Sequence, residues 1–175
     1  MGLLIDRIRG PGGVYRIAVT ALGVLRLALP GGFPSRLAFR REVDRLLARP
    51  LHAGVPRRDP EAQLEQAREL VAEWSCEAAW QCFYFPPLLD LRGTPFRRKV
   101  WETLRGLAPG QTESYGDLAE RTGSPRAARA VGTAMRCNPV ALLVPCHRVV
   151  AANGPGKFGS AGVGLKLRLL AMERA

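Results

Sequence analysis

The chain has 175 residues, 47% hydrophobic and 23% charged, which suits one ordinary domain or two small ones with a packed core and excludes wholesale disorder. Lys and Arg number 26 against 15 Asp and Glu, a formal net charge of +11 at pH 7, and this surplus points to an anionic partner. No apolar run reaches the roughly 18–20 residues of a membrane-spanning helix, and the opening Met-Gly-Leu-Leu-Ile-Asp lacks the pattern of an export leader, so the expected setting is soluble and cytoplasmic.

In chain order, Gly12-Gly13 precedes two β-rich stretches, 14–19 and 23–29, closed by Pro30-Gly31-Gly32, which read as a hairpin. Residues 35–49 and 60–80 carry helical spacing, with Leu37, Val43, Leu46 and Leu47 in the first and Leu64, Ala67, Leu70, Val71 and Trp74 in the second; a Pro- and Arg-containing loop, 50–60, separates them. Cys82-Phe83-Tyr84-Phe85 reads as a short strand stopped by Pro86-Pro87, and 88–93 as a linker. Thr94 caps a helix with Pro95 at its first position, running through Val100, Trp101 and Leu104 to a turn at Pro109-Gly110. Ser114 caps a helix over 115–121, and Ser124 a second over 125–135, with Thr122-Gly123 between them: helix-turn-helix spacing.

The charge is unevenly placed. Residues 1–90 hold 12 Lys or Arg against 10 Asp or Glu, whereas residues 91–175 hold 14 against 5. A localised cationic surface neutralises phosphates, although an Arg-rich composition, 23 Arg to 3 Lys, also serves solubility alone. The second helix of the pair carries few base-reading side chains, and Ala127, Ala130, Gly132 and Ala134 leave one face nearly bare. A bare face either lets a helix press into a DNA groove, with Arg129 free to probe the base stack, or only lets two helices pack closely.

Downstream, an apolar run from Asn138 to Val150 is interrupted by Pro145-Cys146-His147-Arg148. Neighbours in an extended chain point to opposite sides, so a direct thiol–imidazole hydrogen bond needs a turn or a bridging water, plus a third group to hold the imidazolium. Glu173 is the sole acidic residue after Glu120. The Cys and His residues, His52 and Cys76 included, lack zinc-site spacing, and the Gly-rich phosphate and dinucleotide motifs are absent.

Gly93-Thr94-Pro95-Phe96 with Val100-Trp101, Thr112 to Gly116, Ala127 to Gly132, Asn138-Pro139 and Pro145 to Val150 together resemble the O6-alkylguanine-DNA alkyltransferases, the methylated-DNA–protein-cysteine methyltransferases, in family order and close to family spacing. The resemblance implies an α+β chain: a ribonuclease H-like sheet-and-helix domain over 1–88 and a winged helix-turn-helix domain over 89–175. It implies irreversible, stoichiometric transfer of the alkyl group from O6-alkylguanine in duplex DNA, less readily from O4-alkylthymine, to Cys146 after the base flips out through the minor groove. His147 acts through a water as base, Glu173 stabilises its imidazolium, Tyr115 donates to the departing guanine and Asn138 holds the active-site segment. Arg129, Ala127, Ala130, Gly132, Thr133, Arg136 and Ser114 face DNA, and Met135, Val149, Phe158, Gly159 and Ser160 line the base pocket. No cofactor or metal is implied, and the protein works as a monomer, with several copies able to load on one DNA. The chain departs from the family at 156–162, where Phe158, Ser160 and Ala161 replace a Gly-Tyr-Gly-Gly-Gly-like loop. Two other classes fit the same architecture: a lesion-binding module without chemistry, which Cys146 argues against, and a winged-helix transcription factor, which the scarcity of base-reading side chains on 126–136 argues against.

Overall fold

The computed structural model describes residues 3–49, 59–72, 74, 76–84 and 87–174. Three strands, β1 (Leu3–Gly10), β2 (Gly13–Thr20) and β3 (Gly23–Ala28), form an antiparallel meander in the order β1-β2-β3. The hairpin expected from 14–19 and 23–29 is β2 and β3. The first strand, at a half-exposed sheet edge, carries no clean period of two: Leu3-Leu4-Ile5 is followed directly by Asp6-Arg7, so its sequence does not mark it as a strand.

Alternation divides the sheet's side chains between two cores. Ala18, Leu25 and Ala28 meet Phe39, Val43 and Leu46 of α1 (Arg36–Leu47), whose N-terminus Ser35 caps by accepting from Ala38 N at 3.1 Å. Tyr15, Ile17, Val19, Val24 and Leu27 face a larger core, shared with Ala67, Leu70 and Val71 of α2 (Pro60–Ala72), with Trp74, and with the C-terminal half. One continuous core therefore joins the two halves.

The helical stretch read over 60–80 is two helices, α2 and α3 (Cys76–Tyr84), interrupted around the buried Trp74, and the strand read at 82–85 is helical through Tyr84; Phe85 and the 50–58 loop, with His52, lie outside the described residues. Ala78 and Cys82, four residues apart, are both buried, and this 3.6-residue period outweighs the β preference of the aromatic run.

The segment 88–93 is no free linker. Val24 N donates to Leu88 O at 2.9 Å and Asp90 N donates to Val24 O at 3.0 Å, laying the segment along the outer edge of β3. Gly23 makes this approach possible: its φ is +129°, and a Cβ there would lie 2.3 Å from Leu88 O. Further along the same edge, Leu27 N donates to Pro139 O at 2.8 Å and Ala141 N to Leu27 O at 3.3 Å. The N-terminal sheet thus holds the segment that leads to Cys146.

In the C-terminal half, Thr94 caps α4 (Pro95–Arg105) with Pro95 in the first turn. Ser114 and Asp117 form a capping box on α5 (Tyr115–Arg121), and a parallel pair, β4 (Glu113–Ser114) with β5 (Val149–Val150), sets the start of that helix beside the end of the Cys146 turn. The next helix, α6 (Ala128–Arg136), begins later than the expected 125, and Ser124 does not cap it: Ala127 N bonds Ser124 O at 2.9 Å, closing a turn over 124–127 instead. Ala134 is not on a bare face; it is fully buried, and its carbonyl accepts from Trp101 Nε1 at 2.9 Å, tying α6 to α4. The last helix, α7 (Gly162–Met172), packs against the turn at 146–148. Among the described residues no helix is long and apolar enough to cross a membrane.

The join between the halves is pinned by a buried ion pair. Asp90 receives both Arg92 Nε and Nη2 at 2.9 Å and the Thr20 hydroxyl at 2.9 Å, while Arg92 Nη1 reaches Leu47 O at 2.7 Å. Asp90→Ala strands a buried guanidinium, so it is expected to lower unfolding stability by about 3–5 kcal/mol in urea titrations; a loss near zero would show that the pair does not hold the join.

Candidate active site

Proline opens the site. Pro145 precedes a single 3-10 turn, Cys146–Arg148, in which Arg148 N donates to Pro145 O at 2.9 Å. The turn is entered through Leu142, whose φ of +73° is rare for a branched side chain and is held by complete packing, with 1% of its surface exposed. Asn138 clamps the approach: its Nδ2 donates to Val144 O at 2.8 Å and its Oδ1 accepts from Val140 N at 3.0 Å.

The turn converts three consecutive polar residues into a cluster. His147 is wholly buried, and its Nε2 lies 2.6 Å from Glu173 Oε1. Arg148 grips the same carboxylate, Nε to Oε2 and Nη2 to Oε1, each at 2.9 Å, and Nη1 bonds Leu107 O. Gly110 N adds a bond to Oε2 at 3.2 Å. Burial pushes the Glu173 carboxyl upward, but the His147 and Arg148 hydrogen bonds and charges outweigh it and hold its pKa at about 2. Burial pulls His147 below the usual histidine range, against the upward pull of Glu173. The imidazole is therefore neutral with its proton on Nε2, directed at Glu173, and Nδ1 is left as the acceptor. Nδ1 is buried and takes no hydrogen bond from any described residue.

Cys146 is 9% exposed. Burial raises its thiol pKa, opposed by the Asn138 amide and then by the charges of Lys166 and Arg26, so the resting group is a thiol that needs a base. Lys166 is buried on α7 with Nζ on Val149 O at 2.6 Å, and burial lowers its pKa. Arg26, on β3, donates from Nη1 to Asn138 O at 3.3 Å and also to Pro139 O.

Tyr115 starts α5 half-buried. A Cβ on Gly156 would lie 3.3 Å from its hydroxyl, a tight approach that the glycine avoids, while one on Gly132 would meet the ring at 3.9 Å, an ordinary contact. Burial raises its pKa, and so does Cys146 once ionised, keeping it a proton donor. Met135 and Phe158 are nearly buried and Val149 wholly so; Gly159 is exposed, and the side chain of Ser160 lies outside the described set. Arg129, Ala130 and Arg136 are exposed on α6, with Ala127, Gly132 and Thr133 half-buried beside them. Two expected DNA-facing hydroxyls are already engaged: Thr133 Oγ1 bonds Arg129 O at 3.2 Å, and Ser114 Oγ accepts from Asp117 N at 3.1 Å.

The structure thus brings Cys146, His147, Glu173 and Asn138 together, with Tyr115 close by. Sequence reasoning passed over Arg148, Lys166, Arg26 and Trp74. The available signal was an isolated acid near the end of a strongly cationic half, which needs cations around it once buried. Among the described residues, no cluster of three or more His, Cys, Asp or Glu could hold a metal ion.

The linkage between charge and stability has a definite sign. Glu173 has a folded pKa below its ordinary 4.5, so its contribution is complete above that value and is lost as pH falls toward about 2. His147, also depressed, works in the same direction, starting below its ordinary 6.5. Urea midpoints should fall with acid across this whole span, and Glu173→Gln should be less stable at neutral pH and flatter below 4.5; an unchanged acid slope in that variant would contradict the buried carboxylate.

The chain is similar to known proteins in both sequence and fold. A family model described as "6-O-methylguanine DNA methyltransferase, DNA binding domain" matches residues 95–175. The methylated-DNA–protein-cysteine methyltransferase of Mycolicibacterium paratuberculosis is 51% identical over 86 residues, 49% of this chain and 52% of that protein, so the match spans about half the length of that relative. Over the whole fold, the Mycobacterium tuberculosis OGT solved in complex with DNA superposes with a TM-score of 0.69 at 30% identity, covering 97% of this chain and 92% of that one. The O6-methylguanine-DNA methyltransferase of Pyrococcus kodakaraensis gives 0.63 at 29% identity, covering 99% and 100%. With one continuous α+β fold shared along nearly its entire length and the family's DNA-binding segment matched from Pro95 onward, the chain belongs to the O6-methylguanine-DNA methyltransferase family.

Proposed function

We propose that the protein repairs DNA by direct damage reversal, moving the alkyl group of O6-alkylguanine in duplex DNA, and less readily that of O4-alkylthymine, onto Cys146. The observation that carries this reading is the buried chain of contacts from Arg148 through Glu173 to His147, one residue from a thiol. His147 Nδ1, the acceptor left by that chain, takes the proton of Cys146 through a bridging water. The carboxylate beside Nε2 stabilises the imidazolium that results. The thiolate attacks the alkyl carbon in line, the bond from that carbon to O6 breaks, and the Tyr115 hydroxyl meets the charge developing on guanine. The product is a thioether that nothing in the site can reverse, so each molecule acts once, without a cofactor.

The exposed Arg129 and Arg136 and the small residues Ala127, Ala130 and Gly132 make α6 suited to close approach in the minor groove. We assign Arg129 to the gap left when the alkylated nucleotide swings out of the stack. Residues 89–175 then act as a winged helix-turn-helix and residues 1–88 as a ribonuclease H-like support. Met135, Val149, Phe158, Gly159 and Ser160 enclose the extruded base. The protein acts as a cytoplasmic or nucleoid-associated monomer, with several copies able to share one DNA.

Incubation with duplex oligonucleotide containing O6-methylguanine is expected to add one methyl group per protein, located by peptide mapping on Cys146. Cys146→Ser should still bind the lesion and gain no mass; a methylated Ser variant, or native protein that binds tightly without gaining mass, overturns the proposal. Arg129→Ala should slow transfer from duplex by about tenfold or more while leaving reaction with the free alkylated base unchanged. Equal losses on both substrates would remove Arg129 from the extrusion step.

A further inference from the structure

Among the described residues the His147 ring makes one hydrogen bond, through Nε2, to Glu173. One bond leaves the ring free to turn about the bonded nitrogen, and any such turn swings Nδ1 through an arc. The direction of Nδ1 must therefore be fixed by packing. Two aromatic rings do this. Trp74 stands 6.1 Å from the imidazole, centroid to centroid, at an interplanar angle of 83°, and Phe158 stands at 6.5 Å and 81°. Both distances fall in the range of roughly 4.5–7 Å favoured by edge-to-face pairs. All three rings are sealed from solvent, with exposures of 2% for Trp74, 0% for His147 and 5% for Phe158.

Trp74 comes from the other half of the molecule. It lies between α2 and α3, in the large core that both halves share, so through it the N-terminal half reaches the imidazole. Its indole Nε1 is buried and donates to no described residue. The side chain is therefore used as a flat apolar wall and not as a hydrogen-bond donor.

We propose that Trp74 is a positioning residue for alkyl transfer: together with Phe158 it fixes the plane of the His147 ring, so that Nδ1 keeps one direction relative to Cys146. This rests on the reading of His147 as the base toward the thiol. It gives the N-terminal domain a part in the chemistry beyond support. Among the described residues, the charged groups that act on His147 are Glu173, Arg148 and Lys166, and of these Glu173 bonds the ring, at the single atom Nε2.

The test compares single-turnover methyl transfer from O6-methylguanine duplex by native protein, Trp74→Leu and Trp74→Phe as a function of pH. Leu fills much of the space but offers no ring face. Trp74→Leu is expected to be slower by about 10- to 100-fold at neutral pH, where the thiol depends on His147. The deficit should shrink toward alkaline pH, where the thiol ionises unaided. A fraction of misfolded protein would instead reduce transfer equally at every pH. Trp74→Phe should recover most of the rate, and the affinity for lesion DNA should stay native in both variants. If Trp74→Leu does not fold, Trp74→Met serves in its place. The proposal is overturned if the ring-less variant transfers at the native rate, if its deficit is independent of pH, or if Phe does no better than Leu. Native protein that takes up no methyl group overturns the alkyl-transfer reading and this role with it.

Discussion

A carboxylate that stays ionised in the protein interior must be surrounded by donors, and the arrangement of the C-terminal half follows from meeting that demand at Glu173. Arg148 supplies two bonds in the planar geometry a guanidinium offers, His147 a third and Gly110 N a fourth. The acid comes from the end of α7, the base and the guanidinium from the 146–148 turn, and the amide from the loop after α4. Removing any one partner leaves a charge or polar atom buried and uncompensated, so the helix, the turn and the loop are locked in one relative position. The result is a neutral imidazole with a defined tautomer and a defined acceptor nitrogen, beside a thiol that burial keeps protonated.

The N-terminal half enters this site at three places, by packing, hydrogen bonding or backbone pairing. The outer edge of β3 pairs with Pro139 to Ala141, Arg26 braces the carbonyls of Asn138 and Pro139, and Trp74 lies against the imidazole. Arg26 also brings positive charge to bear on Cys146 from outside the C-terminal half. A sheet edge is a stiff template, since every residue laid along it is fixed in register as well as direction. The strained Leu142 and the Asn138 clamp are tolerable because the segment they belong to is anchored on that edge.

What could be read in the sequence was what local chemistry determines. Thr94-Pro95 and Ser114 are start signals that work through bonds within one turn of helix, and both helices begin where those signals stand. Cys146, His147, Asn138 and Tyr115 were legible because the segments around them carry a dense family pattern. The misses came where tertiary context decided the outcome. A short aromatic run at 82–84 is ambiguous in period, and helix won because Ala78 and Cys82 share a buried face. Ser124 lost its capping role to a turn, and Ala134 left the small-residue face for the core. Residues 88–90 looked like a linker because strand pairing with β3 leaves no periodic signature in so short a piece. The inward aim of Arg148 and Lys166 has no local signal; only the balance of buried charge requires it.

The most direct test of this account is the pH dependence of single-turnover methyl transfer from O6-methylguanine duplex, measured for native protein and for Glu173→Gln after confirming that the variant binds lesion DNA. If the buried carboxylate sustains His147 as the base, the variant transfers about 100-fold more slowly at neutral pH and approaches the native rate only where the thiol ionises by itself. Equal rates at neutral pH would mean that Cys146 is activated without the His147–Glu173 pair, contradicting the account.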